Sequence, residues 1–191
     1  MKRTSCGAIL AAVALGVPSL TLAEGVSVDI DIVDIASWDE FGDAPNIVLT
    51  VDVADLAGFG SGTGVVVTGI GYDLTIETFM FSWLSEGEIN FDDADGPLGG
   101  FSIIPGDGDD MAGTMNYTQS LTKFAPEDQL MLSMGLLRIE FYEGFDDLPD
   151  VIDSQWNGTI TLQIDLPSPG VSGLLAPVGI VMARRRRSRS A

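Results

Sequence analysis

Residues 70–77 read IGYDLTIE and give the clearest indication of the fold class. Its apolar residues stand at every second position, and polar residues or glycine fill the positions between them. A period of two places alternate side chains on the two faces of a β-strand. When one face is apolar and the other polar, the strand covers a core on one side and contacts water on the other, as in antiparallel sheets. The stretch therefore predicts a half-buried antiparallel strand.

The same alternation recurs on both sides of this stretch, in segments 26–35, 47–53, 83–91, 137–141 and 159–165. Within the first segment the phase slips at Val33, because Asp34 is polar and Ile35 is apolar, which predicts a β-bulge. Residues 126–136 start with Pro126 and two acids and suit either a helix start or a short strand. At least six strands separated by turn residues predict an all-β fold, an antiparallel β-sandwich or jelly roll.

The N-terminus has the pattern of a secretory signal peptide. Lys2 and Arg3 precede an apolar run over residues 8–17, and small residues follow up to Ala23. We expect an N-terminal signal helix that is cleaved after Ala23. The predicted organisation is therefore a signal peptide at 1–23, one β-sandwich domain at 24–165 and a sorting tail at 166–191.

The C-terminus has three parts that do not belong to the domain. Residues 167–170 read PSPG, residues 171–183 are apolar, and an arginine cluster follows at 184–187. At about 1.5 Å per residue, a helix over the apolar part covers about 20 Å, short of the ~30 Å hydrocarbon core. We expect a short hydrophobic helix that inserts transiently in the inner membrane, with the arginines on the cytoplasmic side.

This tripartite tail resembles the PEP-CTERM sorting signal, the substrate of exosortase in Gram-negative bacteria that secrete exopolysaccharide. The family usually has Pro-Glu-Pro where this chain has Pro-Ser-Pro. The resemblance implies export, membrane retention, cleavage by an exosortase-like protease, and delivery to the cell envelope or extracellular matrix. The residues that carry it are Pro167, Ser168, Pro169, Gly170, Arg184, Arg185, Arg186 and Arg187. The central domain resembles only uncharacterised members. The alternative is a basic tail that binds anionic lipid.

Removal of both ends makes the protein strongly acidic. Of 9 basic residues only Lys123 and Arg138 lie in 24–165, whereas all 28 acids lie there, so 2 − 28 gives a net charge of −26. Such a surface repels nucleic acids, anionic lipids and uronic-acid polymers. Nucleic acid is therefore excluded as a partner, and cations or neutral sugars such as those of an exopolysaccharide remain.

The usual nucleophilic chemistries are missing from the domain. The chain has no histidine, and its one cysteine, Cys6, lies in the predicted signal peptide. Ser-His-Asp and Cys-His systems are thus excluded, and a zinc site is improbable. The glycine run at 58–64 lacks the Lys-Ser/Thr ending of a phosphate loop and predicts a hairpin connection. We expect no enzyme activity.

Carboxylates leave one catalytic alternative. Opposed pairs of acids can hydrolyse glycosides, and β-sandwiches host such enzymes. The acids on or near predicted strands are Glu77, Glu86, Glu88, Glu140 and Glu143. Acids are so frequent in this chain that any pair among them is weak support for hydrolysis.

Two aspartate clusters beside glycines suggest a structural calcium ion. Calcium takes six to eight oxygen ligands, which closely spaced carboxylates in loops supply. The candidate ligands are Asp92, Asp93, Asp95, Asp107, Asp109 and Asp110. Asp is also an ordinary turn residue, so solvated turns are the alternative.

Aromatic residues suggest a sugar-binding platform, because aromatic rings stack on sugar rings. The candidates are Trp38, Trp83, Trp156, Tyr72, Tyr117 and Tyr142. For Trp83 and Trp156, packing in the core or at a sheet edge is the stronger expectation. The sequence thus predicts an exported surface or matrix protein with a structural or adhesive role. Its alternatives are a calcium-dependent carbohydrate-binding module and, third, a glycoside hydrolase.

Overall fold

A computed structural model describes residues 25–145 and 151–167. The predicted signal peptide with its cleavage site at Ala23, and the tail from Ser168 onward with its arginine cluster, lie outside the described residues. Both predicted terminal helices therefore stay predictions. Pro167, the first residue of the PSPG motif, is described and exposed.

Within the described residues the chain forms nine strands and two short helical turns. The strands are β1 (Val26–Ser37), β2 (Val48–Asp52), β3 (Val65–Thr78), β4 (Gly87–Asp93), β5 (Phe101–Ile103), β6 (Thr114–Lys123), β7 (Leu130–Leu132), β8 (Leu136–Glu143) and β9 (Ser154–Asp165). One turn of α-helix, α1, spans Val53–Leu56, and a 3-10 turn spans Pro126–Asp128.

The strands form two antiparallel sheets in jelly-roll order. One sheet has the order β1-β9-β3-β6, and β7 continues along the edge of β3 that β6 occupies. The other sheet has the order β2-β8-β4-β5. Successive strands alternate between the sheets except at the β4–β5 hairpin and the broken β6–β7 edge. The predicted all-β sandwich is confirmed, in its jelly-roll form.

The core lies between the sheets, and the period-two pattern accounts for it. Within residues 70–77, Ile70, Leu74 and Ile76 are buried, and Asp73 and Glu77 are exposed. From the opposite sheet, Phe141 meets Trp156 edge-on with ring centroids 5.6 Å apart. Full burial of each large apolar side chain contributes about 1.5–3 kcal/mol, and these rows hold the sheets together.

The bulge in the first strand is confirmed. The β1–β9 register shifts between Ile32 and Ile35, and Asp34 has a φ of 53°. The extra residue resets the alternation, so Ser37 at the end of β1 is fully buried.

Three local predictions need correction. Residues 126–136 form the 3-10 turn and then β7, so the helix alternative is wrong there, because Leu130–Leu132 pairs with the edge of β3. The strand predicted from Trp83 begins only at Gly87, since turns occupy the residues before it. The glycine run at 58–64 is not a hairpin connection, because it links β2, through α1, to β3 in the other sheet.

The sandwich has two distinct ends. The segments 38–47, 79–86 and 104–113 and the described residues 144–145 and 151–153 meet at one end, which we call the loop end. Backbone hydrogen bonds join them, from Glu143 N to Asp39 O, from Phe79 N to Asp153 O and from Leu84 N to Met111 O. The opposite end, which we call the tail end, carries the start of β1 and the close of β9, where Val26 pairs with Ile164.

Candidate functional site

The loop end exposes large apolar side chains in an otherwise acidic protein. Phe81 is 68% exposed, Trp83 44% and Phe145 62%. We call these three residues the loop-end aromatics. They lie in turns where no sheet pairing hides a side chain. Exposed aromatic groups of this size are a common feature of binding surfaces.

A shallow apolar depression lies at the same end. It is lined by Trp38, Phe79, Met80, Val151 and Ile152, which come from three of the four loop segments. The Trp38 indole Nε1 is buried and has no hydrogen-bond partner in the described part of the chain. The indole N–H can only donate, and no described acceptor lies within hydrogen-bonding distance of it.

A buried polar layer closes the core just inside the loop end. The Ser37 and Ser154 hydroxyls both donate to Glu143 Oε1, at 2.5 and 2.9 Å, and the Trp156 indole donates to Ser37 Oγ at 3.4 Å. The Ser82 hydroxyl donates to Asp153 Oδ1 at 2.8 Å. Glu143 continues the inward-facing row of Leu137, Ile139 and Phe141 along β8, which places its carboxyl against the core.

Glu143 has an unusual electrostatic environment. Its side chain is fully buried, and its Oε2 has no hydrogen-bond partner among the described residues. Burial raises the pKa of this carboxyl to about 7, and the nearby charges of Asp153 and Glu86 add to the rise, while hydrogen bonds from Ser37 and Ser154 oppose it. Glu143 is therefore protonated in mildly acidic solution.

A second network lies on the outer face of the four-stranded sheet. Arg138 pairs with Asp92, with Nη1 3.4 Å from Oδ2, and with Glu140. Both carboxylates are fully buried and also accept hydrogen bonds from backbone N–H groups, Glu140 from Gly42 and Asp92 from Gly99 and Gly100. The network thus binds two loops to the sheet.

The same outer face continues toward the loop end. The Tyr142 hydroxyl donates to Glu88 Oε2 at 2.5 Å, and burial followed by this carboxylate raises the pKa of Tyr142 to about 12. Phe41 packs edge-on against the Tyr142 ring at 5.3 Å and lies 5.7 Å from the Arg138 guanidinium. Segment 38–47 is therefore packed onto the sheet rather than free of it.

The predicted calcium ligands are distributed over different environments. Asp92 is paired with Arg138, Asp93 accepts from Ser133 N at 3.1 Å, and Asp95 is exposed. In the other cluster, Asp109 accepts from the Tyr117 hydroxyl at 2.8 Å. Asp110 accepts from Ser85 Oγ at 2.9 Å, and Asp107 is exposed. Across residues 25–145 and 151–167, no three acidic side chains form a group that could hold a metal ion. The calcium site stays a prediction.

The aromatic candidates separate into two sets. Trp156 is fully buried in the core, as expected, and Tyr142 belongs to the outer-face network. Trp83 differs from the expectation, because it lies in a turn and is 44% exposed. The acids considered for hydrolysis also separate, since Glu143 lies inside the core, Glu140 lies under a loop and Glu77 is exposed.

The sequence contains a signal for Glu143 but not for the loop end. The inward phase of β8 runs from Leu137 through Phe141 and reaches position 143, so its carboxyl is predicted to face the core. Serines 37 and 154 are separated by more than a hundred residues, and only the pairing of β1 with β9 brings them together.

Comparisons with known proteins return structural neighbours only. No protein-family model matches the chain, and no curated protein matches it. The infectious bursal disease virus VP2 subviral particle is similar with a TM-score of 0.38 and 14% identity, over 87% of this chain. This chain spans only 39% of that one. The extra small virus of the prawn Macrobrachium rosenbergii has a TM-score of 0.28 and 8% identity, over 85% of this chain and 94% of that one. In the described residues, no helix has the length and apolar character needed to cross a membrane.

Proposed function

We propose that this chain is an exported protein of the cell envelope or exopolysaccharide matrix with an adhesive role, and that its loop end binds a neutral polysaccharide. Its C-terminal signal sorts it, with transient membrane retention and cleavage near Pro167 and Pro169. The domain binds without turnover.

The polarity of the domain supports an adhesive arrangement. The chain leaves the sandwich at the tail end, where Asp165 pairs with Val66, and continues through Pro167 into the predicted sorting signal. The loop-end aromatics lie at the opposite end. A protein held at the surface through its tail would therefore direct these side chains away from the attachment point.

The chemistry of the loop end supports a neutral glycan. Sugar rings offer C–H faces that stack on aromatic rings and hydroxyls that donate to carboxylates or accept from an indole N–H. Trp83 and Phe81 supply the rings, and the neighbouring depression adds an apolar surface that includes Trp38. A net charge of −19 for the whole chain opposes binding of uronic-acid polymers.

The glycan proposal rests on one observation, the exposure of Trp83 and Phe81 on the same loop. Of the acids considered for hydrolysis, Glu143 is fully buried, which is unfavourable for a general acid that must be within hydrogen-bond reach of its substrate.

Affinity electrophoresis tests the glycan proposal. The purified full-length chain is run through gels that contain a neutral polysaccharide, with an alginate gel for comparison, both with calcium and with a chelator. We expect retardation in at least one neutral gel and none in alginate. Trp83→Ala and Phe81→Ala should each weaken retardation about tenfold, because each removes one stacking ring, and an aromatic ring stacked on a nucleic-acid base contributes about 1–3 kcal/mol.

The matched control is Leu98→Ala, which removes a 54% exposed apolar side chain from a turn at the tail end. It should migrate like the unmodified chain. Equal loss in all three variants, or equal retardation with and without Trp83, would contradict the proposal. Loss of retardation in chelator alone would restore the calcium-dependent form of the lectin hypothesis.

Mass spectrometry of the exported protein tests the sorting proposal. We expect a new C-terminus near Pro167 in an exosortase-bearing host. Substitution of both prolines by alanine should leave the tail attached. A tail that stays intact in the unmodified protein would favour the lipid-binding alternative.

A further inference from the structure

Strand β6 is an open edge of the five-stranded sheet. It runs ten residues, Thr114–Lys123, and nine of them are exposed. It pairs with β3 on one side, and no described strand pairs with its other side. The strand contains neither acid nor proline, although the chain has 28 acids, and its only charge is Lys123 at the last position.

The other sheet edges carry features that block further pairing. On the opposite edge of the same sheet, β1 has exposed Asp29 and Asp31 and a bulge at Asp34. In the second sheet the edges are β2, with five residues, and β5, with three. Charges, bulges and short length are the usual protections against edge pairing. From Thr114 to Thr122, β6 carries no charge, and with ten residues it is not short, although its register shifts after Gln119.

The half of β6 nearest the loop end pairs with β3 without a register shift, and its side chains are hydrogen-bonded on both faces of the sheet. Thr114 to Gln119 pairs with β3 in unbroken register, and the register shifts only after Gln119, opposite Gly71. On the core-facing side of the sheet, Tyr117 packs on the core and its hydroxyl donates to Asp109. On the outer side, the Asn116 side-chain amide donates to Asp73 Oδ1 at 2.9 Å. An ordered strand with an open outer row of N–H and C=O groups is a template for another strand.

The distribution of charge along the sheet edges favours an identical chain as the partner of β6. Two copies of a chain with net charge −19 repel each other over most of their surface. Pairing through β1 would bring Asp29 and Asp31 of both copies together, whereas antiparallel pairing through β6 places only uncharged residues near the twofold axis. A basic partner would instead favour the acidic edges. A neutral edge on an acidic chain is thus what association with an identical chain requires.

We propose that β6 pairs antiparallel with β6 of a second copy, which joins the two five-stranded sheets into one continuous sheet across a twofold axis. The contact is isologous and uses the open edge of each copy, so assembly ends at the dimer and does not continue into fibres. The half-exposed Met115 and Leu121 of each strand are partly covered in the process.

Sedimentation equilibrium of the full-length chain in density-matched detergent tests this proposal. We expect twice the chain mass at micromolar concentration. Thr118→Glu adds a charge on the exposed strand face near the proposed axis, so the dissociation constant should rise at least tenfold. Ser27→Glu is the matched control, because it adds the same charge on the exposed β1 edge of the same sheet, and it should leave the dimer intact.

Mixing variants distinguishes self-pairing from other contacts. Thr118→Glu and Thr118→Lys should each be monomeric alone, and an equimolar mixture should form a heterodimer, because opposite charges then meet across the axis. Thermal unfolding of each variant checks that the domain is folded. A monomeric unmodified chain, or a dimer that Thr118→Glu leaves unchanged, would overturn the proposal. So would a mixture that remains monomeric.

Discussion

Strand β8 carries two buried glutamates three residues apart, and they are stabilised in different ways. Glu140 lies on the outer face under segment 38–47, where Arg138 and the Gly42 backbone N–H contact it. Glu143 lies on the inner face at the end of the core, where its hydrogen-bond partners are the hydroxyls of Ser37 and Ser154.

The two glutamates show how a chain with few cations accommodates buried acids. Arg138 is the only arginine between residues 24 and 165, and it contacts two fully buried carboxylates. No described cation pairs with Glu143, and its pKa rises to about 7. One buried acid is balanced by an opposite charge, while the other is most stable when it is neutral.

Removal of the arginine should have the largest effect. Arg138→Met keeps an unbranched apolar stem but removes the guanidinium and leaves Asp92 and Glu140 buried without a counter-charge, so we expect a loss of about 3–5 kcal/mol in the free energy of unfolding. Urea unfolding at pH 7 measures it. Lys123→Met removes the same charge from an exposed site and should change stability by less than about 0.5 kcal/mol. Equal effects of the two variants would show that net charge, not the network, is what matters.

Glu143 should make stability depend on pH in the direction opposite to most acids. Its pKa is raised from 4.5 to about 7 in the folded state, so the folded state binds the proton more tightly. Its stabilising contribution is complete below the unfolded pKa and is lost as pH rises to about 7. A shift of this size corresponds to roughly 3 kcal/mol.

Unfolding measured from pH 4 to 8 tests this against Glu143→Gln, which is neutral throughout. The stability of the unmodified chain relative to this variant should fall by up to about 3 kcal/mol over that range. Glu77→Gln, at an exposed position, controls for loss of a charge. Parallel pH profiles for the unmodified chain and Glu143→Gln would contradict the raised pKa of Glu143.

The fold was largely predictable because its strands are half-buried. Alternation in residues 70–77 and in the later segments follows directly from one wet and one dry face. The slip at Val33 located a bulge for the same reason. Segment 126–136 was ambiguous, since Leu130–Leu132 is too short to establish a period and only pairing with β3 decides its conformation.

The candidate site was less predictable because it depends on pairings distant in sequence. Glu143 meets Ser37 across 106 positions, and no local pattern encodes that contact. Trp83 was expected to pack in the core or at a sheet edge, yet the strand begins four residues later, at Gly87, which leaves the indole in a turn. Asp is common in turns whether or not its carboxylate has a partner, so the sequence of the aspartate clusters does not indicate which carboxylates are paired.

Ser37 should control the midpoint of the pH transition. Its hydrogen bond to Glu143 lowers the pKa of that carboxyl and so partly opposes the effect of burial. Ser37→Ala should therefore move the midpoint upward and cost about 1–2 kcal/mol at pH 8, where Glu143 is charged, and less at pH 5. Ser102→Ala removes a hydroxyl from the Tyr142 contact on the outer face and should leave the midpoint unchanged. An unchanged midpoint in Ser37→Ala would assign the raised pKa to burial and neighbouring charge alone.

Excess calcium should produce the smallest effect. A cation binds most tightly where several carboxylates converge, and in this structure Asp92 is paired with Arg138 while Asp109 accepts from Tyr117. We expect the melting temperatures in calcium and in chelator to agree within about 2 °C, since 1 kcal/mol of linkage corresponds to about 4 °C for a domain of this size. A larger shift that Asp95→Asn removes, while Asp73→Asn retains it, would place an ion in the Asp92–Asp95 loop. Arg138 would then be balancing a carboxylate that a metal also binds, and the distinction between Glu140 and Glu143 would rest on the metal as well as the arginine.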